Sequence, residues 1–167
     1  MKLTQYSDLG LRLLMYLALR YDGSATIQEV SVRFAVSKNH MVKISHQLTK
    51  SGLIDSTRGR NGGVRLARPP ENISVEEALY ATEENFDLVE CFGADNHCVI
   101  TEVCKLSGVL DNALEAFFGV VRKVTLADLV KNSKTLENSL MPFPESAIVR
   151  IYPRSGATPK RRTKKSK

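Results

Sequence analysis

The chain has no tryptophan, and its aromatic residues make up only 7% of the sequence. No apolar run approaches the roughly 18 residues of a membrane span, so no membrane role is expected. The amino end, Met1 to Asp8, is too polar for a secretory leader, and the cytoplasm is the expected compartment. Cysteine is missing everywhere except residues 91–104, where all three cysteines fall. An odd thiol count in a reducing compartment argues against a disulfide framework. No arrangement of nucleophile and base reads as a catalytic site, so no enzymatic activity is expected. The last eighteen residues lack acidic side chains altogether.

What is present is unevenly charged. The total of +6 divides into +7 over residues 1–68, −9 over 69–149 and +8 over 150–167. An ordered basic front, an acidic middle and a basic tail point to nucleic acid at the front. The hydrophobic content of 43% suits one ordinary globular domain, or two small ones.

Residues 4–20 read as a helix with Leu9, Leu13, Tyr16 and Leu17 on one face. Thr26 and Glu29 have capping-box spacing and open a short helix to about Phe34. Ser37 caps a third helix running to about Lys50, closed by Ser51-Gly52. Strands at 53–57 and 64–67 flank a glycine-rich turn. Ser74 and Glu77 form a second capping box and open a helix to about Thr82. One long helix is expected from about Glu102 to Val124. Its heptad stripe is Val103, Leu106, Leu110, Ala113, Phe117, Val120 and Val124. Thr125 to Asp128 starts a last short turn, and residues 132–167 are expected to be a disordered basic tail.

Helix, helix, turn, helix and hairpin is the order of a winged helix-turn-helix. On the third helix Met41, Ile44 and Leu48 form an apolar stripe. Asn39, Lys43, His46 and Lys50 lie opposite. Lys can reach guanine or phosphate, and Asn can pair with adenine. Ser37, Lys38, Asn39 and His40 occupy the first turn, the part of a reading helix that meets base edges. The hairpin tip carries Arg58, Arg60 and Asn61 among glycines that permit close backbone approach. Two guanidiniums on such a tip suit a narrow minor groove.

The stretch "CFGADNHCVITEVC" places six and five residues between Cys91, Cys98 and Cys104. Structural zinc normally takes four protein ligands, and the nearby His97 adjoins Cys98. A catalytic thiol lacks a partner base, and three unrelated thiols leave their clustering unexplained. An iron–sulfur cluster suits three thiolates on one loop, with the fourth position filled by another ligand. Zinc without a sensing role and an electron-transfer cluster stay open as alternatives.

Five segments together resemble the iron–sulfur winged helix-turn-helix repressors, most of all their nitric-oxide-sensing members. These are "LTQYSDLGLRLLMYLA", "VSKNHMVKISHQL", "RGRNGGVRLARPP", the cysteine trio and "TLADLV", spanning residues 1–131. Ser107 stands where relatives that regulate cluster assembly carry histidine. The resemblance implies a mainly α fold: a winged helix-turn-helix, then a long dimerisation helix preceded by a cluster loop. It implies a DNA-binding unit over 1–82 and a cluster loop with dimer helix over 83–131. It implies a homodimer with swapped long helices on a pseudo-palindromic duplex. It implies a [2Fe–2S] or [4Fe–4S] cluster on Cys91, Cys98 and Cys104, with Asp8 of the second copy as fourth ligand. Repression would be relieved by nitric oxide; a response to iron or oxidants is the related alternative.

Overall fold

The computed structural model describes residues 2–21, 23–57, 59, 62–131 and 134–140 of the 167. Helix α1 spans Gln5–Leu19, α2 Ile27–Arg33 and α3 Lys38–Lys50. The antiparallel pair β1 (Ile54–Thr57) and β2 (Gly63–Leu66) follows, in the register Ile54 to Leu66 and Thr57 to Gly63. Helices α4 (Val75–Thr82), α5 (Lys105–Val121), α6 (Leu126–Val130) and α7 (Lys134–Leu140) complete the order.

Local chemistry starts the helices where the sequence places it. Thr4 Oγ1 accepts from the Ser7 amide and caps α1. The boxes of Thr26 with Glu29 and Ser74 with Glu77 are closed in both directions. Each satisfies amides that the first helical turn would otherwise leave free. Helix α3 stops by a Schellman closure, with Leu53 N donating to Leu48 O at 3.0 Å and Gly52 N to Thr49 O at 3.1 Å. Gly52 takes φ +73°, which any other side chain would resist.

The apolar stripes meet in one core. Leu9, Leu13, Tyr16 and Leu17 of α1 are buried against Met41, Ile44 and Leu48 of α3, Ile54 and Leu66 of the hairpin, and Ala78 of α4. Burying each large aliphatic side chain stabilises the fold by about 1.5–3 kcal/mol. Ala25 pairs with Val64 by two backbone bonds, fastening the hairpin to the body. Gly63 must be glycine there, because a Cβ would lie 2.9 Å from the Ala25 carbonyl oxygen.

The long helix is shorter than expected at both ends. Cys104 has extended backbone, and Val103 sits in the 3-10 turn Thr101–Val103 before it. At the other end the Val124 carbonyl accepts from Val75 N at 2.9 Å. That backbone is committed to α4 and leaves the helix. No residue of the stripe that remains on α5 is buried: Leu106 is 59% and Val120 65% exposed, and the buried side chain of this helix is Phe118, off the stripe. Helix α6, grouped by the sequence reading with the cysteine loop, packs back on α1 through the buried Leu126. Residues 134–140, expected in the disordered tail, form α7 instead. Leu136 and Leu140 lie one turn apart on a part-buried face, and Leu140 packs against the core. Residues 141–167, with the rest of the expected tail, lie outside the described residues.

Candidate nucleic-acid interface and cysteine loop

Helix α3 offers the face that the sequence predicts. Met41, Ile44, Ser45 and Leu48 are buried, while Lys38, Asn39, Lys43, His46 and Lys50 are exposed and His40 is half-buried. Ser37 is exposed, and its Oγ accepts from His40 N at 3.2 Å, so this hydroxyl holds the first turn together. Lys38 also lines a groove of about 290 Å³ with Thr26, Gln28, Thr57 and Gly63, between the start of α2 and the hairpin. Arg58, Arg60 and Asn61 lie outside the described residues. Gly59 between them has φ +114°, a left-handed conformation that suits a tight tip.

The pose of α3 is set by α1 as well as by the core. Tyr6 donates from its phenol to the Lys43 carbonyl at 2.8 Å, and its ring lies 6.1 Å from the His40 ring. Burial pushes the Tyr6 phenol above its ordinary value. Tyr6 escapes a reading of local patterns because its partners are on another helix. Below α3, Glu29 receives Tyr16 and Arg20 as well as closing its own capping box, tying α1 to α2.

The three thiols are free and half-buried, on the connection from α4 to α5. Hydrogen bonds hold that connection in shape. Glu90 Oε1 accepts from His97 N at 2.9 Å, so the neighbours of Cys91 and Cys98 meet. Asn96 donates to Thr101 Oγ1 at 3.0 Å, and that hydroxyl donates to the Cys98 carbonyl at 2.8 Å. Nothing in the spacing of Glu90, Asn96 and Thr101 marks them in the sequence. Cys104 is the N-cap of α5, and its side chain makes no cap hydrogen bond there. A negatively charged sulfur at that position meets the positive end of the helix. Among the described residues, no three His, Cys, Asp or Glu side chains are already gathered to hold a metal ion. The donor set nonetheless fits an iron–sulfur group: three unpaired thiols, one of them at a helix start, with no disulfide to break.

Asp8 lies on the first turns of α1 and is engaged. Its two carboxylate oxygens take Arg12 Nε at 3.0 Å and Nη2 at 2.7 Å, with both side chains about half exposed. The structure of the single chain does not bring Asp8 to the thiols as one metal-holding group.

The connection is braced at its α4 end by an aromatic cluster. Tyr80 stacks on Phe118 at 5.1 Å, and Phe86 meets Phe118 edge-on at 4.8 Å. Arg122 forks onto Glu76 at 2.7–3.0 Å, joining the end of α5 to α4. The guanidinium holds the Glu76 carboxyl below its ordinary value, and that carboxylate raises Arg122. Among the described residues, no helix is long and apolar enough to cross a membrane.

Comparison with known proteins agrees with this fold. The family model described as "Rrf2: Iron-dependent Transcriptional regulator" matches residues 3–132. The HTH-type transcriptional regulator NsrR of Halalkalibacterium halodurans is 44% identical over 139 residues, covering 82% of this chain and 95% of that protein. The regulator of the same name from Bacillus subtilis is 44% identical over 138 residues, 81% and 94% of the two chains. Among solved structures, T. potens IscR superposes with a TM-score of 0.66 at 23% identity, over 82% of this chain and 91% of that one. The oxidised form of Staphylococcus aureus CymR superposes at 0.66 with 22% identity, over 80% and 99%. The last two share the fold. With the family model and these relatives running through the winged helix-turn-helix, the cysteine loop and α5 alike, the chain belongs to the Rrf2 family of transcriptional regulators.

Proposed function

We propose that this chain is an NsrR-like repressor that binds a pseudo-palindromic duplex as a homodimer and releases it in response to nitric oxide. The observation that carries the reading is the joining, in one chain, of an exposed polar α3 face to a loop holding every thiol. Lys38, Asn39, His40 and Lys43 would meet base edges and phosphates, with Ser37 holding the turn that presents them. Arg58, Arg60 and Asn61 would reach the adjacent minor groove. The exposed apolar side chains Leu106, Val109 and Val120 on α5 supply the contact for a second copy.

Cys91, Cys98 and Cys104 would hold a [2Fe–2S] or [4Fe–4S] cluster, with Asp8 of the second copy as the fourth ligand. Such a cluster supplies iron that nitric oxide attacks. To serve, Asp8 must share or leave Arg12, which occupies both of its oxygens. Residues 1–82 would form the DNA-binding unit and 83–131 the sensing and dimerising unit.

The test is an anaerobic absorption spectrum with iron and sulfide analysis, followed by nitric oxide titration while duplex binding is followed. A brown protein that bleaches and releases DNA supports the proposal. A colourless zinc protein, or a cluster whose loss leaves binding unchanged, overturns it. Release on iron depletion or oxidation but not on nitric oxide would assign the related iron- or redox-responsive role.

A further inference from the structure

We infer that Glu83, Thr4 and Tyr6 form an intrachain linkage through which the cysteine loop sets the pose of α3, an inference that rests on the proposed function. Glu83 closes α4 and begins the segment that runs to Cys91. Its Oε1 accepts from Thr4 N at 2.8 Å and from Thr4 Oγ1 at 3.1 Å, across 79 positions of sequence. Thr4 is the N-cap of α1, and its Oγ1 accepts from Ser7 N at 3.2 Å. Two residues on, Tyr6 donates to the Lys43 carbonyl and lies beside His40. Two hydrogen-bonded steps therefore join the start of the cysteine segment to the middle of the reading helix.

The surroundings make this linkage adjustable while the rest of the lobe stays rigid. It borders an open cleft of about 570 Å³, lined also by Gln47, Ala81 and Asn85. A few residues along α1 the packing is tight, since a Cβ on Gly10 would lie 2.9 Å from Thr82 Cγ2. Close-packed interiors resist displacement, whereas hydrogen bonds beside a solvent-filled cleft can shift. When the segment after Glu83 moves, the two bonds to the α1 cap either break or carry the first turn with them. Tyr6 sits in that turn and holds α3 by its backbone. Tyr6 is thus a positioning residue, acting on DNA through Lys43 and His40.

The test compares duplex affinity of the cluster-loaded and cluster-stripped full-length protein, using DNA selected from a random pool by the wild type. Amide hydrogen exchange over Lys43 to Gln47 is measured in the same states. Tyr6→Phe keeps the ring and loses the donor. It is expected to narrow the loaded-to-stripped affinity ratio roughly fivefold or more, while the melting temperatures of both states fall alike by no more than a few degrees, the loss of one hydrogen bond. Glu83→Leu should narrow it likewise, Glu83→Gln should preserve it, and Tyr6→Phe with Glu83→Leu should do no more than either alone. In the wild type, stripping should speed exchange over Lys43 to Gln47; in Tyr6→Phe the two states should exchange alike. A Tyr6→Phe protein with the wild-type ratio and the wild-type exchange difference overturns the linkage. Equal affinities of loaded and stripped wild type overturn the proposed function instead, and the exchange data then decide the linkage alone.

Discussion

Gly10 marks a point where α1 meets the end of α4 with no room for a side chain. Thr82 is buried, its hydroxyl donates to the Ala78 carbonyl at 2.8 Å, and its methyl faces Gly10. A β-branched side chain held in this way cannot swing aside. Gly10→Ala is expected to lower stability by about 1–3 kcal/mol through overpacking. Adding Thr82→Ser removes the methyl, keeps the hydroxyl and should restore most of the loss; urea denaturation of the three proteins checks this. At the same scale, Ala35 is a residue whose conformation its identity conceals. It takes φ +53° in the turn between α2 and α3, where a non-glycine residue costs about 1–2 kcal/mol. Val36 N, donating to Ser31 O at 2.9 Å, helps hold that turn.

Among the elements, α3 depends on its first turn and α5 on its joint with α4. Ser37→Ala removes the acceptor for His40 N and is expected to destabilise the protein by about 0.5–2 kcal/mol. Because that turn carries Lys38, Asn39 and His40, duplex affinity should fall further than the small loss of folded population explains. Matched melting and binding measurements separate the two effects. The joint with α4 predicts a pH dependence. The Arg122 guanidinium lowers Glu76 below its unfolded value, so its stabilising effect is present above about pH 4, the ordinary carboxyl range. It is lost as pH falls through the lower, folded value. Glu76→Gln should therefore melt below the wild type at neutral pH, and the two melting curves should converge in acid. A constant gap across that range would mean that charge contributes nothing at this joint.

For the whole molecule, the face of α5 that the described residues leave uncovered has the largest consequence. Val109 is 62% exposed beside Leu106 and Val120, too much apolar surface for a helix working alone. Val109→Glu should leave a folded lobe, since its core lies elsewhere, yet yield monomers in sedimentation. On the proposed reading, half-sites bound by separate monomers lose the gain from linking, so duplex affinity should drop by about a hundredfold or more. Dimeric Val109→Glu would place the contact between copies on another surface.

Sequence alone determined what depends on near neighbours. The capping boxes at Thr26 and Ser74 join residues three apart, and the stripe of Met41, Ile44 and Leu48 follows from helical periodicity. The αL stop at Gly52 follows from glycine's missing side chain. These choices arrange the winged helix-turn-helix and show which face of α3 is left outside. The clustering of three thiols was equally visible as chemistry, though not their arrangement in space. Tertiary structure alone decided what joins distant segments. Val124 reads as part of a heptad until its carbonyl is found bonded to Val75, and Leu140 reads as tail until it meets the core. Tyr6 and Glu83 look ordinary along the chain, because their partners, Lys43 and Thr4, lie 37 and 79 residues away. Periodicity and capping act within a turn or two of helix, while such contacts exist only after the core has folded and brought their ends together.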